Sequence, residues 1–346
     1  MSRRLLAVIG ALSAVALLLA MVRGRRDTGA VALSPGGFRV GLVFDVGGRG
    51  DKSFNDAAYL GLLRARAELA AGIEFVEPTG AEDREAALRL FAARGFDLVL
   101  GVGFIFSRDV DTVARDYPAV RFACVDYAPG FGPSGPLPIP PNVTGLAFRE
   151  NEGAFLVGAV AALTSTSHEV GFVGGMDIPL IHKFEAGWRA GVGAVCPSCG
   201  LHVAYAGSTP DAFRDPAKGK AIALAQIGAG VDVLFHASGS TGHGVFEAAR
   251  SAHVLAIGVD SDQWDEAPGT VLTSMIKRAD VAVFDAIAHA KAGKLAGGML
   301  VLGLGEGGLD YVHEGAHAVL LTPAVLSRVE ALRADVVSGR TVVPAE

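Results

Sequence analysis

The residues of this chain equipped for chemistry stand at the ends of its apolar runs. Val40–Phe44 ends in Asp45, a Gly47-Gly48-Arg49-Gly50 loop follows, and Asp51-Lys52-Ser53-Phe54-Asn55-Asp56 opens a helical pattern. Later runs end in Gly103-Phe104, Asp126, Gly174-Gly175-Met176-Asp177, Gly239-Ser240-Thr241-Gly242, Asp260-Ser261-Asp262-Gln263 and Lys277. Carboxylates, the Asn55 amide, an ammonium and glycine N–H groups suit hydrogen bonding to a small polar molecule. Phe54, an aromatic among polar neighbours at a helix start, suits covering a flat part of that molecule, and Phe184 in IHKFEAGW offers a second ring. Each residue also has a plainer reading. Asp126 could simply open the proline-rich loop after it, and Asp260 could cap the 262–264 turn. Phe54 could be a hydrophobic staple, and Phe184 could pack inside its helix beside Trp188, one turn further on.

The signatures of catalysis fail in turn. VGGRGDKS resembles a phosphate-binding loop, but Asp51 separates Gly50 from Lys52 and the G-K-S string is absent. There is no HExxH, and Gly239–Gly242 lacks the spacing of a nucleophile elbow. Arg49-Gly50-Asp51 and the sequon Asn142-Val143-Thr144 are short enough to arise by accident. The chain reads as a binder rather than a catalyst, with no cofactor and no metal expected. Its cysteines are Cys124, Cys196 and Cys199. In an oxidising compartment Cys196-Pro-Ser-Cys199 can close a small loop. A redox pair or half of a zinc site is the alternative, but no second CxxC or paired histidine completes a metal set.

What positions these residues is an alternation of strands and helices. Strands are expected at 38–44, 73–77, 97–102 and 120–125, with helices near 53–70, 81–94 and 106–116 between them. A proline-rich loop, 129–141, breaks the rhythm. A second series then opens with strand 143–148 and helix 151–165. It continues with strands 170–174, 201–206, 232–237 and 254–259 and helices near 180–194, 214–229 and 243–252. Strand 271–276, helix 279–292, strand 299–304 and a last helix near 322–338 remain, to cross back between the two series. Strands rich in Val, Ile, Leu and Phe with helical crossovers imply parallel sheets covered on both faces. The fold class is therefore α/β: two doubly wound parallel-sheet lobes around a cleft, joined by a hinge.

Composition agrees. The 346 residues are 51% hydrophobic and 19% charged with 46 glycines, which suits two packed domains rather than disorder. A formal charge of −6 without a basic block in the body of the chain argues against nucleic acid as a partner. Arg3 and Arg4 precede the apolar run Leu5–Val22, and Arg23, Arg25 and Arg26 follow it. That is an export signature, either cleaved or kept as a membrane anchor.

Four strings carry a resemblance: GLVFDVGGRGDKSFNDAAYLGL, NVTGLAFRENEGAFLVGAVAAL, VGFVGGMDIPLIHKFEAGWRAGV, and IGVDSDQ followed by LTSMIKR. Together, from about Phe38 to Val312, they resemble the basic membrane protein family of substrate-binding proteins, whose better-understood members are purine nucleoside receptors of ABC transporters. The resemblance implies a type I periplasmic-binding-protein fold, with one lobe from 38–147 plus 277–300 and the other from 148–276 plus 301–346, after a signal or anchor and tether at 1–37. It implies that Phe54 stacks on the base, with Phe184 as the opposing ring, and that Asp126 reads the base edge. Asp260 and Lys277 would bind ribose hydroxyls, with Asp45, Asn55, Gly103 and the Gly239 loop as further contacts. The expected partners are a purine nucleoside, an ABC permease and, through the apolar segment, a membrane. A membrane-anchored sensor, or a binder of sugar or another small polar ligand, is the alternative. Many relatives carry a lipidated cysteine directly after the signal run. No cysteine precedes Cys124 here, so the protein is expected outside the cytoplasm but not as a lipoprotein.

Overall fold

The computed structural model describes residues 37–78, 82–132 and 135–346. The apolar run Leu5–Val22, read above as export signal or anchor, lies outside the described residues. Among the described residues no helix is long and apolar enough to cross a membrane.

Two six-stranded sheets account for the alternation. The first holds β1 (Arg39–Val43), β2 (Gly72–Val76), β3 (Leu98–Val102), β4 (Arg121–Val125), β7 (Val143–Phe148) and β13 (Gly298–Leu302). They run parallel in the order β13-β7-β4-β3-β1-β2. The second holds β8 (Glu169–Met176), β9 (Gly200–Gly207), β10 (Val233–Ala237), β11 (Leu255–Asp260), β12 (Val271–Lys277) and β14 (Leu309–Tyr311), in the order β14-β12-β11-β10-β8-β9. Here β14 pairs antiparallel with β12, and the other pairs are parallel. The proline-rich loop carries a small antiparallel ribbon, β5 (Phe131–Gly132) and β6 (Gly135–Pro136).

One assignment changes. The alternation alone makes strand 143–148 open the second series, whereas the lobe bounds implied by the resemblance, 38–147, keep it with the first; it is β7 of the first sheet, lying between β4 and β13. The proline-rich segment mimics an interdomain linker in composition, yet it is an excursion that returns the chain to the same sheet, with Phe122 opposite Val143. The true passage between lobes comes just after, where β7 runs into α4 (Glu150–Thr164). This helix packs against α5 (Pro179–Val195) beside the second sheet.

Two more passages follow. After β12 the chain enters α8 (Ala279–Lys291), which packs on α1 (Phe54–Leu69) of the first lobe, and after β13 it returns to the second sheet through β14. Three crossovers of this kind make a hinge rather than a single linker. The sheet interiors are built from fully buried residues such as Leu98, Leu100 and Val102 in β3 and Val233, Leu234 and Phe235 in β10. Helices α4 and α5 approach until their backbones touch. A Cβ on Gly187 would fall 2.1 Å from the Asn151 carbonyl oxygen, and one on Gly191 would fall 2.0 Å from that of Phe155. Cys196 and Cys199 form a disulfide just beyond α5, while Cys124 is a buried free thiol in β4.

Candidate functional site

Each sheet reverses its winding once. In the first, β1 lies between β2 and β3, and in the second, β8 lies between β9 and β10. At such points the loops diverge to opposite faces and leave a crevice beyond the carboxyl ends of the strands. The two crevices face each other across one cavity lined by residues of both lobes. Asp45, Phe54, Asn55, Asp126, Phe184, Gly239, Asp260 and Lys277 all line it. Gly103 lies behind the wall. Its φ is +106° and a Cβ there would fall 2.0 Å from Asp45 Oδ2, so only glycine lets the Asp45 carboxyl lie against this turn.

The loop after β1 is organised by Asp51, whose oxygens accept from the backbone N–H groups of Ser53 (2.9 Å), Asn55 (2.9 Å) and Asp56 (3.1 Å). Asp51 thereby does the work of a helix cap at the positive end of α1. It also accepts from Asn55 Nδ2 at 3.0 Å, while Asn55 Oδ1 accepts from the Asp45 N–H at 3.1 Å. Asn55 is therefore largely committed to holding Asp45 and the loop. Phe54, the first helical residue, is partly buried with its ring on the cavity. Phe184 is buried in α5 and also lines the cavity, so core packing and cavity lining coexist there, while Trp188, one turn on, packs on Phe235 with ring centroids 5.3 Å apart.

Asp126 and Asp260 share an unusual backbone. Their φ angles are +60° and +66°, the left-handed region that non-glycine residues rarely occupy and that clusters at functional sites. In each case the conformation turns a residue at the carboxyl end of a parallel strand into the cavity. Asp260 does not cap the following turn; Asp262 does, accepting from the Trp264 N–H at 3.0 Å. Instead Asp260 Oδ2 accepts from Ser53 Oγ at 2.5 Å, across the gap between lobes. Two more bonds span the gap beside it: Gln263 Nε2 donates to the Lys52 carbonyl at 3.1 Å, and Ser261 Oγ to that of Ser53 at 3.3 Å.

Lys277 stands at the second crossover. Its Nζ lies 2.7 and 2.8 Å from the two oxygens of Asp126 and 3.1 Å from Glu150 Oε1. The centroids of the Phe148, Phe54 and Phe184 rings lie 5.0, 5.2 and 5.6 Å away, positions at which ring faces attract a cation. Burial opposes its charge, but Asp126, Glu150 and Asp260 outweigh that and hold its pKa above the ordinary lysine value. Burial, aided by the Asp126 charge, pushes Asp45 up to about 7. Burial also pushes Asp260 up to about 6 against the pull of Lys277 and Ser53. Asp126 and Asp51 are raised as well, again chiefly by burial.

Several lining or supporting residues escaped the sequence reading. Glu150 opens α4, fully buried, two residues past the end of β7, and completes the Lys277 cage. Asp51 stands in the candidate string 51–56, but its part in capping the helix is not read from the sequence. Phe213 and Ser238 line the second-lobe side without a motif of their own. Asp177, by contrast, is exposed and pairs with His182 at 2.6 Å, and does not line the cavity.

Comparison with known proteins joins the geometry to a lineage. The family described as ABC transporter substrate-binding protein PnrA-like matches residues 38–327. The chain belongs to this family. As a PnrA-like protein it has relatives across bacteria and archaea. A Lactococcus lactis protein named ABC transporter nucleoside-binding protein BmpA is 30% identical, with all of both chains covered. A Pyrococcus horikoshii protein named an uncharacterized lipoprotein is 37% identical, over 79% of this chain and 68% of that one. The crystal structure of an ABC transporter solute-binding protein from Aeropyrum pernix K1 superposes with a TM-score of 0.79 at 31% identity, covering 89% of this chain and 94% of the other. The PnrA-like chain thus has the type I periplasmic-binding-protein fold and belongs to a family of solute-binding proteins. The lipoprotein name of the Pyrococcus relative stands against the expectation of an unlipidated protein, and residues 1–36, where that difference resides, lie outside the described residues.

Proposed function

We propose that this PnrA-like protein captures a nucleoside, a purine nucleoside foremost, outside the cytoplasm and presents it to an ABC permease without altering it. The observation that carries the reading is one cavity, shared by both lobes, in which two phenylalanine rings stand with Asp126, Asp260 and Lys277. The base lies between Phe54 and Phe184, and the ribose hydroxyls reach the free Oδ1 of Asp260 beside the Lys277 ammonium. Asp126 both holds Lys277 and faces the base edge. Stacking contributes roughly 1–3 kcal/mol per ring, whereas micromolar affinity needs about 8 kcal/mol net of association costs. The charge-assisted hydrogen bonds, roughly 1.5–3 kcal/mol each, therefore carry much of the affinity. The name of the Lactococcus relative supports the same ligand class. The apolar run Leu5–Val22 directs export and, if retained, tethers the protein to the membrane.

The test is calorimetry of guanosine, inosine and adenosine against ribose and free base. We expect nucleoside binding to weaken at least tenfold in both Phe54→Ala and Asp260→Ala. Unchanged affinity in the two variants, or tighter binding of ribose than of any nucleoside, would overturn the assignment. Nucleoside recovered intact after long incubation with the pure protein separates this reading from hydrolysis.

A further inference from the structure

The CxxC pair far from the cavity lacked a companion in sequence, and the fold supplies one. His168 sits in the turn before β8, and one nitrogen of its ring together with the sulfurs of Cys196 and Cys199 forms a group whose ligand atoms all lie within 4.8 Å of one another. Parallel pairing of β8 with β9, Glu169 opposite Gly200, brings together residues some thirty positions apart. His168 Nδ1 lies 3.9 Å from Cys199 Sγ. Around a tetrahedral zinc ion, bond lengths of about 2.3 Å to sulfur and 2.0–2.1 Å to nitrogen place S and N about 3.5 Å apart, so this pair is already near chelating distance. His168 also holds a left-handed φ of +60°, a strained conformation in a non-glycine residue. All three residues are exposed or half-exposed, and open to an ion from solvent.

We propose that the Cys196–Cys199 disulfide masks a metal site. Once reduced, the two thiolates and the His168 imidazole bind one zinc ion, with water in the fourth position. Two soft sulfurs and an imidazole suit zinc rather than magnesium or calcium. The balance is simple. A phosphine reductant gives two electrons to the S–S bond and becomes the phosphine oxide, taking its oxygen from water, whose two protons end on the two thiols. Zinc binding then displaces both protons, so uptake strengthens as pH rises. In the oxidised form the sulfurs are bonded to each other and the site is closed.

The experiment uses the whole chain without a histidine tag, reduced with a phosphine, desalted without air and titrated with cobalt(II), then with zinc as competitor. We expect one equivalent of cobalt, giving the intense visible bands of a tetrahedral site and a sulfur-to-cobalt charge-transfer band, and release of the cobalt on zinc addition. The unreduced chain and the reduced Cys196→Ser variant should lack these bands, and His168→Ala should bind cobalt at least tenfold more weakly. Absence of the bands from the reduced wild-type chain overturns the proposal, as does equal affinity in His168→Ala. Circular dichroism of each variant guards against misfolding, and nucleoside affinity, which belongs to the distant cavity, should stay unchanged in both.

Discussion

At the scale of single residues, the decisive feature is the pair of left-handed aspartates. Asp126 and Asp260 adopt a backbone that glycine would take more comfortably, and the retained carboxylates point into the cavity. Asp260 allows the two contributions to be separated. Asp260→Gly and Asp260→Ala should weaken nucleoside binding alike, since both remove the acceptor. Asp260→Gly should nevertheless be about 1 kcal/mol more stable than Asp260→Ala by urea titration, because alanine keeps the unfavourable φ. Equal stabilities would show that the backbone is not under strain there. Asp45 carries a pH dependence of definite sign. Its pKa rises on folding from 3.8 to about 7, so folding takes up a proton and stability falls as pH climbs towards and through 7. His236, pushed by burial from 6.5 to about 3, works in the opposite direction below its ordinary value. The clean window therefore runs from about pH 6.5 to 8. There the urea midpoint of the ligand-free chain should drop as pH rises, and Asp45→Asn should flatten the slope.

At the scale of elements, the tight contact of α4 with α5 fixes Phe184. Gly187 and Gly191 let the helix backbones meet, and Phe184 lies on the same helix one turn before Trp188. Gly191→Leu should force the helices apart, lowering stability by about 1–3 kcal/mol, the usual cost of overpacking, and weakening ligand binding in step. A melting temperature and an affinity both unchanged would show the contact to be slack. The elements themselves were largely legible, because parallel strands with helical crossovers leave runs of Val, Ile, Leu and Phe separated by amphipathic stretches. Sheet membership was not legible from the alternation alone. Val143–Phe148 reads the same beside β4 as it would in the other lobe, and only pairing decides between them. The three-residue β14 offered too short an apolar pattern to register. Strand ends disclosed Asp45, Asp126, Asp260 and Lys277. Nothing local disclosed Glu150 as the partner of Lys277, since that ion pair joins residues from two separate crossovers between lobes.

For the whole molecule, the cavity exists only because both lobes contribute. Ser53, Phe54 and Asp126 come from the first, Phe184 and Asp260 from the second, and Lys277 from the seam between them. The bonds Ser53–Asp260, Gln263–Lys52 and Ser261–Ser53 bridge the gap, so a ligand that touches both halves adds to contacts already favouring closure. The resulting chamber has a lopsided electrical character. Asp45, Asp51, Asp126 and Asp260 line it, and the facing ammonium of Lys277 is already claimed by Asp126 and Glu150. A 5′-monophosphate would carry further negative charge against these four carboxylates. Guanosine monophosphate should therefore bind at least a hundredfold more weakly than guanosine in the same calorimeter, and comparable binding would contradict this account. On the proposed function, nucleotides released by other cells would then become useful to this protein only after a phosphatase outside the membrane had stripped them.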